Sequence, residues 1–137
     1  MQIDPLEAII TWLASALTRA GGRVAGKHRY GNAWEKTQTG VSVHLDGGAP
    51  DLYATVATPR FEIGIYSNNQ EEIVSVWREL IQLMRNNARF SVDTSQGDVL
   101  VHYVLPESSL SLIFDDELNM DMGIVFVKSM MSEVAIA

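Results

Sequence analysis

Apolar side chains recur at helical spacing in two stretches of the chain. The first stretch has the i, i+3, i+4, i+7, i+11 spacing of one buried stripe; its members are Leu6, Ile9, Ile10, Leu13 and Leu17. Asp4 can cap free helix amides, Pro5 suits the first helical position, and Gly21 can adopt the left-handed conformation that commonly ends a helix. The pattern therefore predicts a first helix over residues 5 to 20.

The second stretch begins after Ser67–Asn69, which offers caps, and after Glu71 and Glu72, which favour the positive end of a helix. Its apolar positions keep helical spacing as far as Asn86 and Asn87. They are Ile73, Val76, Trp77, Leu80, Ile81 and Met84. We predict a second helix here, with Trp77 at the centre of its buried stripe.

Alternation with a period of two residues indicates strands elsewhere in the chain. Residues 41–45 and 60–66 alternate in this way, 46–50 have the composition of a turn, and 53–57 are predicted to be extended. The segments 98–105 and 123–127 are almost entirely apolar, which is typical of strands covered on both faces.

Two further segments have no clear period. The glycine-rich arm, residues 21–40, is predicted as a loop with room for one short strand, and residues 108–122 as a hairpin tip or a short helical turn. The order helix, strands, helix, strands favours a single α+β domain over residues 1–137. In this domain two helices pack on one face of a mixed or antiparallel sheet.

The charge balance narrows the possible partners. Seventeen acidic and ten basic side chains give a formal net charge of −7, so sequence-specific binding to a nucleic acid is not expected. The chain has no cysteine, which excludes disulfides and thiolate chemistry and suits a reducing cytoplasm. Asp4 and Glu7 disfavour a signal peptide, and no apolar run approaches the roughly 18 residues of a membrane helix.

No set of residues in the sequence has the spacing of a known catalytic or metal-binding motif. His28, His44 and His102 lie in separate segments without metal-ligand spacing, and the acidic run 115–121 lacks the glycine and terminal glutamate of a calcium loop. The chain also lacks the GxSxG motif of serine hydrolases and the phosphate-binding GxxxxGK[ST] motif. We therefore predict a protein that is not an enzyme and that has no cofactor or metal.

Surplus apolar surface suggests two alternatives. Trp12 lies off the main stripe of the first helix, and the two late strands look apolar on both faces although only two helices can cover them. Such surface often marks a partner interface. The alternative is that one domain uses both faces of its sheet for its own core.

The strand Arg60–Ser67, followed by Asn68, Asn69 and an acid-started helix, resembles a pattern of the tail-terminator (tail-completion) proteins of long-tailed bacteriophages. In that pattern an arginine precedes three alternating apolar residues, then an aromatic residue and a serine, and here the positions are Arg60, Phe61, Ile63, Ile65, Tyr66 and Ser67. The N-terminal helix and the glycine-rich arm also fit, so the resemblance covers most of the chain.

This resemblance implies a structural protein of the virion neck, assembled in the host cytoplasm. Such proteins form a ring, here expected to be a homohexamer, that caps the tail tube. The ring binds the tail tube protein and the head-completion or connector protein, and DNA passes through its lumen. No membrane partner is expected. We expect Asp115, Asp116, Glu117 and Asp121 to line or flank the channel, because negatively charged side chains make no attractive contacts with the phosphates of DNA. Solvent exposure for solubility is the other interpretation of this cluster. Our interface candidates are Trp12, Arg29, Tyr30 and Trp34.

Two other functions stay open at this point. One is a small cytoplasmic ligand-binding domain or enzyme with a pocket between sheet and helices, for which Tyr30, Trp34, His44 and Glu62 are the first candidates. The other is a different neck or minor tail protein.

Overall fold

The computed structural model describes residues 4–26, 38–50, 56–86, 89–95, 97–116 and 119–133. Its helices are α1 (Pro5–Ala16) and α2 (Gln70–Asn86), and its strands are β1 (Val24–Ala25), β2 (Gly40–Pro50), β3 (Val56–Ser67), β4 (Phe90–Thr94), β5 (Gly97–Pro106), β6 (Ser111–Asp115) and β7 (Met120–Glu133). A single 3-10 turn, Thr18–Ala20, follows α1. These elements confirm the predicted α+β class.

The described strands form one mixed sheet in the order β1-β2-β3-β7-β5-β4, with β6 beside β7. The short β1 runs parallel to β2, and all the other pairs are antiparallel. Strand β7 has β3 along one side. Its other side is shared, because β6 pairs with residues 120–124 and β5 with residues 127–133.

Both helices pack on the same face of this sheet. Helix α1 contacts β1, β2 and β4, and α2 contacts β3, β5 and β7. The alternating residues of 41–43 and 61–65 are buried in one cluster with the helix stripes, as their period predicts. One continuous core therefore lies between the helices and this face.

Helix α1 ends four residues earlier than predicted. Leu17 leaves the helical region, with a ψ of 95°. A separate turn then begins at Thr18, whose hydroxyl donates a hydrogen bond to the Glu79 carboxylate of α2 at 2.6 Å. Gly21 has a φ of 57°, so the left-handed exit lies where the sequence predicts it.

The predicted turn at 46–50 is wrong. Gly47 has a φ of 86°, and the register with β3 shifts between Leu45 and Gly48. The glycines therefore form a bulge that bends β2 without ending it. Of the extended segment predicted at 53–57, residues 56 and 57 open β3, and 53–55 lie outside the described residues.

Of the two late strands, β5 is covered mainly on one face, whereas β7 also has buried residues on the other, Met122 among them. Val99, Val101 and Val104 of β5 are buried, with a register shift between Val101 and Tyr103, whereas Leu105 is 42% exposed. The second face of β5 is only partly covered, because both helices pack on the first.

The buried stripe of α2 is narrower than predicted. Its buried positions are Ile73, Val76, Leu80 and Met84, and Trp77 is half-buried beside them. Trp77 therefore flanks the core and does not form its centre.

Candidate interaction surface

Residues 108–122, for which the sequence left two alternatives, form a hairpin. Strand β6 pairs with the start of β7, from Ser111 opposite Ile124 to Asp115 opposite Met120. Asn119 in the connecting turn has a φ of 54°, a left-handed conformation that asparagine tolerates better than most residues. We call residues 111–124 the acidic hairpin.

The acidic hairpin carries all four predicted channel carboxylates. Asp116 is exposed in the turn, and Asp121 is half-buried on β7, where it pairs with Phe114. Asp115 ends β6, and Glu117 lies outside the described residues. The fold thus places Asp115, Asp116 and Asp121 at one end of the hairpin.

Strand β6 also presents three consecutive large apolar residues. Leu112, Ile113 and Phe114 are 44%, 46% and 53% exposed, the longest such run in the described residues. Among these residues β6 pairs with β7 alone. An edge strand with exposed apolar side chains is open to pairing with another chain.

The two faces of β6 differ in what lies beside them. Leu112 pairs with Gly123, and a Cβ on Gly123 would lie 2.7 Å from Cγ2 of Ile73 on α2. Leu112 therefore lies on the helix side of the sheet, and so does Phe114, two residues on. Ile113 lies on the opposite side.

An open groove of about 450 Å³ separates β6 from α2. Its lining residues are Gln70, Glu71, Val74, Ser75, Arg78 and Leu112. The wall from α2 is mainly polar and carries one charge of each sign, whereas Leu112 supplies an apolar wall from β6. Leu112 belongs to an edge strand, so a partner that binds at this edge could place a side chain in the groove.

A small apolar cluster anchors the acidic hairpin on the face away from the helices. Tyr66, Met120 and Met122 are at most 6% exposed, and Ile124 packs against them. Gly64 leaves the space that they need, because a Cβ there would lie 2.9 Å from Cε of Met122. The β7 half of the hairpin is thus packed into the domain.

The connection from β5 to β6 is held by both backbone groups of Phe126. The Phe126 carbonyl accepts from the Glu107 amide at 2.8 Å, and the Phe126 amide donates to the Ser108 hydroxyl at 3.0 Å. Arg60 pairs with the carboxylates of Glu107 and Asp46 and lies 4.6 Å from the centre of the Phe126 ring. These contacts fix where β6 begins.

The predicted interface residue Trp12 lies in the core of the domain itself. It is 8% exposed, and its ring centre is 4.8 Å from that of Phe90. Phe90 begins β4, a strand that the sequence pattern did not predict, and this strand covers the surface that the interface prediction left open. Arg29, Tyr30 and Trp34 lie outside the described residues.

The two pocket candidates that the structure describes, His44 and Glu62, do not lie between sheet and helices. His44 and Glu62 are cross-strand partners on β2 and β3, and they alternate with buried residues that face the helices, so both lie on the opposite face. Tyr30 and Trp34 are outside the described residues, as is His28.

The remaining titratable groups are spread over the sheet. His102 Nε2 is 2.8 Å from the Ser132 hydroxyl. Within the described ranges no three His, Asp or Glu side chains are grouped as metal ligands.

Two carboxyl groups with shifted pKa values, those of Glu7 and Asp98, lie near the β4–β5 turn, at the other end of the sheet from the acidic hairpin. The Ser95 amide and hydroxyl donate to Glu7 and lower its pKa. On the hairpin formed by β4 and β5, the hydrogen bond between Asp98 and Asp93 raises the pKa of Asp98, and the negative charge of Asp93 raises it further. Neither group is near the acidic hairpin.

Sequence reasoning missed the apolar run of β6 as an element. The segment Leu110–Phe114, with four large apolar residues before an acidic turn, is the signal that could have predicted a strand.

The chain matches no protein-family model, and no curated protein is significantly similar to it. Neither helix in the described part of the chain is long and apolar enough to cross a membrane.

Proposed function

We propose that this protein is the tail-terminator subunit of a long-tailed bacteriophage. In this proposal six copies form a ring in the neck of the virion, which caps the tail tube and joins it to the head-completion or connector protein. The resemblance supports this role through the segment Arg60–Ser67, which forms most of β3, and through the acid-started α2 that follows.

The observation that carries the proposal is the exposed edge of β6. Leu112, Ile113 and Phe114 would be costly to leave in water, at about 25 cal/mol for each Å² of apolar surface. A ring subunit has two neighbours and therefore needs complementary surfaces of this kind. The region between the sheet and the helices is filled with apolar side chains that pack on one another, so its described residues offer no comparable surface to a neighbouring subunit.

The acidic turn supplies the second part of the proposal. Asp115, Asp116 and Glu117 follow the apolar run directly in the sequence, and Asp121 pairs with Phe114. A ring contact through β6 would therefore place Asp116 and Asp121 at the margin of that contact. We propose that they face the channel, where like charge prevents the phosphate contacts that would slow DNA.

The termination role is tested by tube assembly. The tail tube protein encoded with this chain is polymerised alone and with increasing amounts of this protein, and tube lengths are measured by electron microscopy. We expect the protein to bind one end of each tube and to stop growth. Unchanged tube lengths, with no density at a tube end, would exclude the proposed role.

The channel role has its own test. We expect the variant with Asp115, Asp116 and Asp121 all replaced by Lys still to assemble, because charge contributes more to the rate of association than to its affinity. Genome ejection should be slower. Ejection at the wild-type rate would assign this cluster to solubility alone and would leave the terminator role untouched.

A further inference from the structure

We propose that the outer edge of β6 pairs with β1 of a second copy of this chain. The two strands run antiparallel, with Phe114 opposite Val24, so that the sheets of neighbouring copies join into one. This inference rests on the proposed ring and names the contact between its subunits.

β1 and β6 lie at opposite edges of the described sheet. From β1 the order runs through β2 and β3 to β7, and β6 lies on the far side of β7. β1 is parallel to β2, and the three pairings that lead from β2 to β6 are antiparallel, so β1 and β6 run in opposite directions. A second copy placed beside the first, with its helices on the same face, therefore presents an antiparallel β1 to β6.

The backbone groups on the outer edge of β6 belong to Leu112 and Phe114. Phe126 of β7 directs both its amide and its carbonyl toward the connection between β5 and β6. Every second residue of β7 faces this side, Met122 among them, and Met122 pairs with Ile113. Ile113 therefore hydrogen-bonds to β7, and the backbone groups of its two neighbours face outward.

On β1 the residue that faces outward is Val24. The Arg23 carbonyl accepts from the Val41 amide at 2.9 Å, so it faces β2. The next carbonyl along the strand, that of Val24, faces the other way. The Val24 amide donates to the Gly22 carbonyl at 3.0 Å, so the Val24 carbonyl is the acceptor that β1 offers to a further strand.

The side chains that meet across this contact lie on matching faces. Val24 pairs with Val41, a residue of the core beneath the helices, so Val24 lies on the helix side of the sheet. Phe114 also lies on the helix side and is 53% exposed. Because directly opposite residues project to the same face, pairing Phe114 with Val24 buries apolar surface of both.

The same register brings Leu112 beside Gly26. Gly26 is exposed and has no side chain to obstruct Leu112. A Cβ on Gly26 would lie 2.9 Å from Cδ1 of Ile10 and 3.4 Å from Cδ2 of Leu6, both on α1. Leu112 of one copy thus approaches the half-buried Leu6 and Ile10 of the next, and a second copy supplies the apolar partner that this exposed leucine lacks.

Opposite charges meet at one end of the contact. Arg23 comes just before Val24; its Nε donates to the Thr39 carbonyl at 2.7 Å, and it forms no ion pair with the described carboxylates. Asp116, exposed in the turn after β6, comes within one residue of Arg23 when Phe114 faces Val24. Such charges speed the encounter and fix its orientation.

The contact is head-to-tail, because β1 and β6 are different surfaces. Each copy uses its β6 toward one neighbour and its β1 toward the other. Contacts of this type form a closed ring when the rotation between neighbours closes.

An engineered disulfide reports the contact directly, because the chain has no cysteine of its own. In the proposed register Ile113 and Ala25 form a pair without mutual hydrogen bonds, with Cα atoms about 4.5 Å apart, a separation that a disulfide spans. Both lie on the face away from the helices. Within one copy, four strand spacings, about 19 Å along the sheet, separate β6 from β1.

The test variant carries Ile113→Cys and Ala25→Cys in the full chain. The matched control carries Ile113→Cys and Ser91→Cys, since Ser91 is an exposed residue of another edge strand, β4. After mild oxidation, covalent mass is measured by denaturing gel and mass spectrometry. We expect the test variant to form covalent multimers up to the size of the ring, and the control to remain monomeric on the gel.

A mixture of the two single variants tests the direction of the contact. Ile113→Cys mixed with Ala25→Cys should give a covalent heterodimer, and neither variant alone should give a homodimer. Homodimers of Ile113→Cys would show that two β6 edges pair with each other and would overturn the inference. Equal cross-linking of the Ser91→Cys control would overturn it as well.

Light scattering separates this contact from the ring itself. The variant with Leu112→Lys and Phe114→Lys should be monomeric, whereas the control Leu105→Lys, at an apolar position of β5 that is 42% exposed, should assemble as the wild type does; circular dichroism checks that each variant folds. Wild-type rings without the cross-link between 113 and 25 would refute the contact and leave the terminator role standing. The cross-link in a chain that forms only open filaments would refute the ring and support the contact.

Discussion

Replacing Gly123 by Ala tests how closely β7 and the acidic hairpin pack against α2. The new Cβ would lie 2.7 Å from Cγ2 of Ile73 and 2.8 Å from Cδ1 of Leu110. Both distances are shorter than van der Waals contact, so the side chains of Ile73 and Leu110 must shift, and the β-branched Ile73 has little freedom to do so. We expect the free energy of unfolding to fall by about 1 to 3 kcal/mol, as in other overpacked cores.

The sign of this change is informative. Without the steric conflict, a Gly to Ala change stabilises a protein by about 0.4 to 1 kcal/mol, because it restricts the unfolded chain. Urea denaturation followed by circular dichroism measures the difference. A variant as stable as the wild type, or more stable, would show that Gly123 does not pack against α2.

A double-mutant cycle identifies the partner in this contact. Ile73→Ala alone should cost about 2 to 5 kcal/mol through the cavity that it creates. With Ile73 truncated, the added methyl of Gly123→Ala fills part of that cavity. The two changes should then be less than additive by about 1 kcal/mol or more. Additive effects would contradict the proposed packing of α2 on β7.

Three further predictions follow from the core and from the shifted carboxyl groups. Trp12→Ala should cost about 3 to 5 kcal/mol in urea denaturation and the half-buried Trp77→Ala less; the reverse order would contradict the observed packing. Asp98 has a raised pKa, so its charged form opposes folding as pH rises through that value, and Asp98→Asn should raise stability near pH 7 more than in acid. Glu7 has a lowered pKa, so its contribution is present at neutral pH and is lost as pH falls through that value; Glu7→Gln should therefore lower the melting temperature at neutral pH and leave it unchanged in acid.

Much of the fold could be predicted because its periodic elements follow local rules. Asp4 caps α1 by accepting from the Glu7 amide at 3.1 Å, and the alternation of 61–65 places Phe61, Ile63 and Ile65 in the core. In these segments the intrinsic preference and the buried pattern agree, so the sequence alone indicates both the type of element and its inward face.

The errors arise where tertiary contacts override a local signal. Gly47 and Gly48 have the composition of a turn, yet pairing with β3 carries the strand through them as a bulge. Trp12 lies off the apolar stripe of α1, yet it is buried because it packs against Phe90 of β4. The two residues are far apart in the sequence. No spacing rule within α1 could have indicated that partner.

The candidate surface was predicted only in part. The acidic run lies in the segment that forms the hairpin, and a hairpin was one of the two forms predicted for that segment. The apolar run that makes β6 an interaction edge became apparent only from its pairing with β7 and from the exposure of Leu112, Ile113 and Phe114. Which side of a strand remains open depends on all the other elements, so a local pattern cannot supply it.

The central claim is that this chain closes into a ring at the end of a tail tube. Electron microscopy of the full chain bound to tail tubes, with symmetry determined from end-on views, tests that claim most directly. The account predicts a six-fold ring at one tube end, with the acidic hairpins nearer the symmetry axis than the outer rim and β6 covered by a neighbouring copy. Single copies scattered along the tube, or a ring with β6 exposed to solvent, would contradict it.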